Sequence, residues 1–99
     1  MALDQGTTSS RTILFSEKGE IVADASAPLA CHYPQSGWVE QDPQEIWTSQ
    51  SQTIQEALKK AALTMKDIAA VGITNQREST IAWNRNTGKA IAPAINWQC

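Results

Sequence analysis

A single long helix, predicted to begin at Asp42, divides the chain and limits the folds that are open to it. Asp42 can accept a hydrogen bond from a free backbone N–H, Pro43 suits the first helical position, and Glu45 can close a capping box. The helix should end near Ala62, because apolar residues recur at helical spacing up to that point. This apolar stripe consists of Ile46, Trp47, Ile54, Ala57, Leu58, Ala61 and Ala62. Within it we expect Trp47 to be a core residue, whose truncation would cost about 3–5 kcal/mol.

Segments that favour β-strands flank this helix on both sides, which predicts an α/β fold. Before the helix we expect a meander of three antiparallel strands, with a hairpin turn at Glu17–Glu20 before the third. After the helix, residues 68–74 are mostly apolar without alternation, as in a central strand that is buried on both faces. Residues 80–83 and 90–97 are expected to be extended segments on either side of a turn.

The composition is that of a small cytoplasmic, soluble domain. The chain has 99 residues, of which 41% are hydrophobic and 18% charged. A net charge of −2 gives no electrostatic footprint for nucleic acid or for an anionic membrane. Cys31 and Cys99 lack metal-site spacing, and one adjacent pair, Cys31 with His32, cannot close a tetrahedral site. We expect free thiols, no signal peptide and no transmembrane segment.

An acid, a glycine and four hydroxyl residues follow one another between the first two predicted strands. Gly6 allows a sharp turn, and the backbone amides and hydroxyls of residues 7–10 can donate to phosphate oxygens. Asp4 would repel a phosphate unless a cation bridges them, which indicates Mg²⁺ held through its water shell. An ordinary polar hairpin turn is the alternative, and this stretch alone leaves both interpretations open.

A second polar cluster, Asn75-Gln76-Arg77-Glu78, follows the predicted central strand. Ligands of α/β sheets bind beyond the carboxyl ends of such strands. Arg77 offers donors and Glu78 an acceptor side by side, which suits vicinal hydroxyl groups. A surface loop with a solvated ion pair is the alternative. Trp97 is either a core residue or an apolar wall that faces a ligand.

Three stretches together resemble a known family: Asp4–Arg11, Gly37–Pro43 and Gly72–Glu78. Their order and spacing are similar to the N-terminal part of the carbohydrate kinases that include xylulokinase and glycerol kinase, and Asn-Gln-Arg-Glu favours the glycerol kinases. The resemblance covers essentially all 99 residues. It implies a ribonuclease-H-like fold, as in the actin, hexokinase and Hsp70 superfamily. Residues 1–99 would then be part of the first domain of a two-domain kinase, whose second domain is absent here.

The activity that this resemblance implies is the ATP-dependent phosphorylation of glycerol to sn-glycerol 3-phosphate, with ATP and Mg²⁺ as cofactors. Asp4 would hold the metal, Arg77 and Glu78 would hydrogen-bond to glycerol, and Trp97 would pack against its carbon backbone. The implied contacts to the nucleotide phosphates are Thr7, Thr8, Ser9 and Arg11. The general base would be an aspartate further along the chain, so we expect no catalytic residue here and no activity from these residues alone.

The sequence departs from the family pattern at two positions: Ser79, where threonine is usual, and Ala90, where proline is usual. Neither residue is an implied ligand contact.

The alternative functions are a kinase of another small sugar and a non-catalytic module that self-associates through open sheet edges. A ribonuclease-H-like nuclease would need several acids around two metal ions, whereas Gln76 and Arg77 follow the predicted central strand. We also expect a homo-oligomer, with glycerol as the ligand and no nucleic-acid or membrane partner.

Overall fold

Two sheets and one α-helix form the structure, a computed structural model that describes residues 1–99. The elements are β1 (Ala2–Gln5), β2 (Ser9–Phe15), β3 (Ile21–Pro28), β4 (Glu40–Gln41), α1 (Pro43–Ala61), β5 (Gly72–Thr74) and β6 (Ala94–Ile95). The larger sheet has four strands in the order β3-β2-β1-β5, and the smaller sheet pairs β4 with β6. A short 3₁₀ turn, Met65–Asp67, follows the helix, and its Asp67 carboxylate accepts a hydrogen bond from the Thr64 N–H at 2.9 Å.

The larger sheet is mixed, which confirms the α/β class. Strand β2 pairs antiparallel with both β1 and β3, while β5 pairs parallel with β1. The β2–β3 hairpin turns at Gly19, whose φ of 80° is unfavourable for residues with a side chain. In the parallel pair, Asp4 lies opposite Thr74. The carboxyl ends of β1 and β5 therefore meet at one edge of the sheet.

Helix α1 begins and ends as the sequence predicts. The Asp42 carboxylate accepts a hydrogen bond from the Gln44 N–H at 2.8 Å, and Ala62 ends the helix in the left-handed conformation with φ 55°. The predicted capping box is wrong, however. The Glu45 carboxylate lies 3.5 Å from His32 Nε2 instead of bonding to the Asp42 backbone, because the loop before β4 brings His32 beside the first turn.

The interface between α1 and the sheet is small and largely polar. Leu14, Ala25 and Ala57 form its buried apolar cluster. The helix buries Ser49, Gln50, Thr53 and Ala57 rather than the large residues of the predicted stripe. Trp47 is 60% exposed, so its assignment to the core is wrong. Ala57 packs against Leu14 and Ala25 where α1 lies over β2 and β3, whereas Trp47 lines an open surface cavity with Ile81 and Trp83.

The strands after α1 are shorter and more exposed than predicted. Strand β5 is not buried on both faces: Ile73 is 74% exposed, because β5 is the edge of the sheet and α1 packs mainly over β2 and β3. Residues 80–83 make only isolated bridges instead of a strand, and within 90–97 only β6 is regular. The turn between them is confirmed, with the Asn84 N–H donating to the Lys89 carbonyl at 2.7 Å.

Candidate functional site

The carboxyl ends of β1 and β5 lie side by side and line an open cavity of about 480 Å³. The loop after β1 forms one side of it and the polar segment after β5 forms another, because the two strands run parallel and end side by side. Among the residues proposed from the sequence, the structure brings together Asp4, Thr7, Arg77, Glu78 and Trp97. The other residues that line the cavity are Gln5, Gly6, Asn75 and Gln76.

The loop after β1 is a tight turn held by its own backbone. The Gly6 N–H donates to the Ser9 carbonyl at 2.9 Å, and the Gln5 side chain donates to the Gly6 carbonyl at 3.1 Å. A Cβ atom at position 6 would lie 3.1 Å from the Ser9 carbonyl oxygen, a closer approach than most side chains tolerate. Glycine therefore fits this close approach of two backbone segments, whereas a residue with a side chain would have to shift the Ser9 backbone by a few tenths of an ångström. The turn presents the Thr7 side chain to the cavity.

Asp4 is exposed at the cavity, and its carboxylate has no hydrogen-bond partner within the chain. No group of three or more His, Cys, Asp and Glu side chains could hold a metal ion. A closed metal site is therefore absent. Magnesium is usually bound by one or two carboxylates, several waters and the phosphates of a substrate, so the donor chemistry of one unpaired carboxylate beside the loop after β1 fits hydrated Mg²⁺.

The four residues predicted to contact phosphate lie in different environments. Thr7 lines the cavity, while Thr8 is an exposed residue of the same loop and Ser9 is the exposed first residue of β2. Arg11 does not line the cavity, because its guanidinium donates to the Asp24 carboxylate at 2.7 Å. The two side chains are 43% and 48% exposed, and an ion pair of this kind contributes about 0.2–1 kcal/mol. A phosphate could therefore replace Asp24 as the partner of Arg11 at small cost.

Arg77 and Glu78 are both exposed at the cavity and form no salt bridge with each other or with other residues. The structure does not contain the solvated ion pair that was the alternative for this segment. Glu78 has a φ of 64°, a left-handed conformation that costs a residue with a side chain about 1–2 kcal/mol. Strain of this kind is concentrated at ligand-binding sites, which makes this segment a candidate for one.

Trp97 is 51% exposed and lines the cavity, so it is not a core residue. Its indole N–H donates to the Thr7 hydroxyl oxygen at 2.7 Å, across 90 residues of sequence. This bond joins the wall of the cavity directly to the loop after β1. The flat apolar ring remains available to a ligand, because the hydrogen bond uses only the edge of the indole.

Sequence reasoning missed two buried amides beneath the cavity. Gln41 and Asn96 are each 1% exposed. Gln41 Nε2 donates to the Thr7 carbonyl at 2.8 Å, and Asn96 Nδ2 donates to Gln41 Oε1 at 3.0 Å. The only signal in the sequence was position, since Gln41 belongs to the Gly37–Pro43 stretch and Asn96 precedes Trp97.

The sequence matches the model of the N-terminal domain of the FGGY family of carbohydrate kinases over residues 1–99. The chain is 58% identical over 99 residues to a glycerol kinase of Shewanella frigidimarina and 59% identical over 98 residues to that of Acinetobacter baylyi. These alignments cover 100% and 99% of the chain but 20% of each relative. The chain thus spans about one fifth of the length of these relatives.

Solved structures with the same fold come from carbohydrate kinases. A Plasmodium falciparum glycerol kinase with ADP superimposes with a TM-score of 0.87 at 35% sequence identity, over 97% of this chain and 19% of that one. A xylulose kinase from Rhodospirillum rubrum gives a TM-score of 0.85 at 28% identity, over 97% of this chain and 20% of that one. No helix of the structure has the length and apolarity needed to span a membrane.

Proposed function

The chain belongs to the FGGY family of carbohydrate kinases, and from this premise we propose that it supplies the phosphate loop and the polyol contacts of a glycerol kinase. The reaction is the transfer of the γ-phosphoryl group of ATP to glycerol, giving sn-glycerol 3-phosphate. Relatives that are 54–59% identical carry the name glycerol kinase, whereas the xylulose kinase from Rhodospirillum rubrum is 28% identical. Residues 1–99 are then the start of a ribonuclease-H-like domain in a two-domain enzyme.

The observation that carries this proposal is the convergence on one cavity of two chemically different half-sites. Asp4 lies near the end of β1 and Thr7 in the loop after it, and Arg77 and Glu78 come from the segment after β5. A phosphoryl-transfer enzyme must hold its two substrates within reach of each other, since positioning provides much of the rate enhancement. The adjacent strand ends bring the two half-sites together without any further element.

The polyol half-site consists of Arg77, Glu78 and Trp97. The Arg77 guanidinium donates to hydroxyl oxygens, the Glu78 carboxylate accepts from hydroxyl protons, and the indole ring covers the carbon backbone. Both charged groups are unpaired in the structure, so a ligand does not have to displace an internal partner. A three-carbon triol offers both kinds of hydrogen-bonding group and a small apolar face.

The phosphate half-site consists of the loop after β1 with Asp4 at its base. Thr7, Thr8 and Ser9 offer hydroxyl and backbone donors to nucleotide phosphates, and Arg11 would exchange Asp24 for a phosphate oxygen. Asp4 would hold hydrated Mg²⁺, which when bound offsets the negative charge of the phosphates. The chain itself binds and orients the substrates; the general base that accepts the glycerol proton lies outside these residues.

Two other functions fit the cavity less well. A kinase of another small sugar would share the phosphate half-site, but relatives that are 58–59% identical to this chain are named glycerol kinases. A non-catalytic self-associating module would explain the open edge at β5 but not the unpaired charges beside the cavity.

The test is a pair of arginine substitutions in the protein expressed from its natural reading frame. Arg77→Ala removes charged hydrogen bonds to glycerol worth about 1.5–3 kcal/mol, so kcat/KM for glycerol should fall roughly 10- to 150-fold. Arg85→Ala is the matched control, because Arg85 is exposed in the turn over residues 84–89 and makes no hydrogen bond. Equal kinetics for the two variants would refute the polyol half-site, and absence of glycerol-dependent turnover by the parent protein would refute the function.

A further inference from the structure

The two half-sites are connected beneath the cavity by a closed circuit of hydrogen bonds, here named the hydrogen-bond ring. Each member bonds to the next, and the last bonds to the first. The shortest link is 2.7 Å and the longest is 3.4 Å. The members, in order around the ring, are Thr7, Gln41, Asn96, Gln76, Ser79 and Trp97.

Thr7 is held from two sides within this ring. Its carbonyl oxygen accepts from Gln41 Nε2 at 2.8 Å, and its hydroxyl oxygen accepts from the Trp97 indole at 2.7 Å. A third bond to the same loop comes from Gln76 Nε2, which donates to the Gly6 carbonyl at 3.4 Å. The position of the phosphate loop therefore depends on side chains that belong to the other half of the cavity.

The Trp97 side of the ring is held in the same way. The Trp97 backbone N–H donates to Ser79 Oγ at 3.2 Å, and Ser79 Oγ donates to Gln76 Oε1 at 2.8 Å. Gln76 directly precedes Arg77, so the ring also fixes the start of the polyol segment. A ligand that packs against the indole would restrict Trp97, and the restriction would pass to Thr7 through the bond between them.

Gln41 and Asn96 close the ring where water has no access, since each is 1% exposed. Gln41 uses both ends of its amide: Nε2 donates to Thr7 and Oε1 accepts from Asn96. An apolar residue at position 41 would break both links, and no solvent could replace them.

We propose that Gln41 and Asn96 are positioning residues that couple the phosphate half-site to the polyol half-site, an inference that rests on the function proposed above. Neither residue touches a substrate; both act through Thr7 and, by way of Gln76 and Ser79, through Trp97. Glycerol should then raise the affinity for ADP, and ADP should raise the affinity for glycerol by the same factor. Coupling of this kind usually amounts to about 5- to 150-fold in affinity.

The experiment measures the dissociation constant of Mg-ADP with and without saturating glycerol, by titration calorimetry on the protein expressed from its natural reading frame. The ratio of the two constants is the readout. Gln41→Leu should lower this ratio toward one, by at least about fivefold if the parent coupling lies within the usual range. Gln50→Leu is the matched control: Gln50 is a buried glutamine that bonds to β2, and its loss should leave the ratio unchanged.

A second variant keeps the test decisive if Gln41→Leu does not fold. Ser79→Ala removes a small, partly buried link of the ring and should also lower the ratio. A parent ratio of one, an unchanged ratio in the variants that fold, or equal losses in Gln41→Leu and Gln50→Leu would each overturn the inference. Failure of the parent protein to bind either ligand is a different result, since it refutes the function itself and with it the coupling.

Discussion

The buried hydroxyl pair between β2 and α1 leads to a prediction that two similar substitutions have unequal costs. Thr12 and Thr53 are both 0% exposed, and their Oγ1 atoms lie 2.8 Å apart. The Thr53 hydroxyl oxygen also lies 2.7 Å from the Gln50 carbonyl oxygen, which can only accept. A hydroxyl has one proton, so Thr53 donates to Gln50 and Thr12 must donate to Thr53.

The two valine substitutions follow from this assignment. Thr53→Val leaves the buried Thr12 proton without an acceptor, which costs about 1–3 kcal/mol. Thr12→Val leaves the Thr53 proton on Gln50, and the Thr53 oxygen still accepts from Gln50 Nε2 at 3.2 Å. Thr12→Val also removes the acceptor of a bond from Gln50 Nε2 at 3.1 Å, but that nitrogen keeps the Arg11 carbonyl and Thr53 Oγ1 as acceptors. No buried proton is then left without an acceptor, and the loss is two ordinary hydrogen bonds of about 0.5–1.5 kcal/mol each, less than Thr53→Val, which loses more bonds and leaves a buried proton unpaired. The double variant removes both partners and should cost less than the sum of the single variants.

Hydrogen exchange of the backbone amides in β2 and α1 measures these costs without requiring two-state unfolding of the whole protein. The predicted loss in Thr53→Val corresponds to exchange that is about 5- to 150-fold faster. Exchange elsewhere in the protein serves as the internal reference. A cost for Thr12→Val equal to or above that for Thr53→Val, or strictly additive costs in the double variant, would refute the donor assignment.

Two further predictions concern residues whose environment differs from what the sequence suggests. Trp47→Ala should change the free energy of unfolding by less than about 1 kcal/mol in thermal melts, because the side chain is 60% exposed. A loss of about 3–5 kcal/mol would instead indicate that Trp47 is a buried core residue. Asp24→Asn should leave the affinity for Mg-ADP equal or higher in titrations, because it frees Arg11 for a phosphate; weaker binding would indicate that the Arg11–Asp24 pair itself supports the site.

The features that the sequence predicts correctly are those with local causes. The helix start depends on Asp42 and Pro43, and both act within one turn of the helix. The polar segment after β5 can also be recognised locally, since ligands of α/β sheets bind beyond the carboxyl ends of strands. Its meeting with Asp4 is not a local feature, because it depends on the parallel pairing of β1 with β5, in which Asp4 lies opposite Thr74.

The features that were missed depend on distant segments. The apolar stripe of α1 is broad, and only the small residues of β2 and β3 decide that Ala57 and not Trp47 is buried. The apolar sequence of β5 indicates a buried strand, but burial also requires a covering element that residues 1–99 do not provide. The bond between Gln41 and Asn96 joins residues 55 positions apart, and no periodicity signals such a contact.

The most direct test of the account is the rate of ADP formation from ATP by the protein expressed from its natural reading frame, with glycerol, with xylulose and without an acceptor. We predict turnover that depends on glycerol and on Mg²⁺ and that exceeds turnover with xylulose, while residues 1–99 alone give no turnover above the rate without protein. Equal rates with the two acceptors, or no stimulation by glycerol, would contradict the proposal that Arg77, Glu78 and Trp97 form a glycerol site.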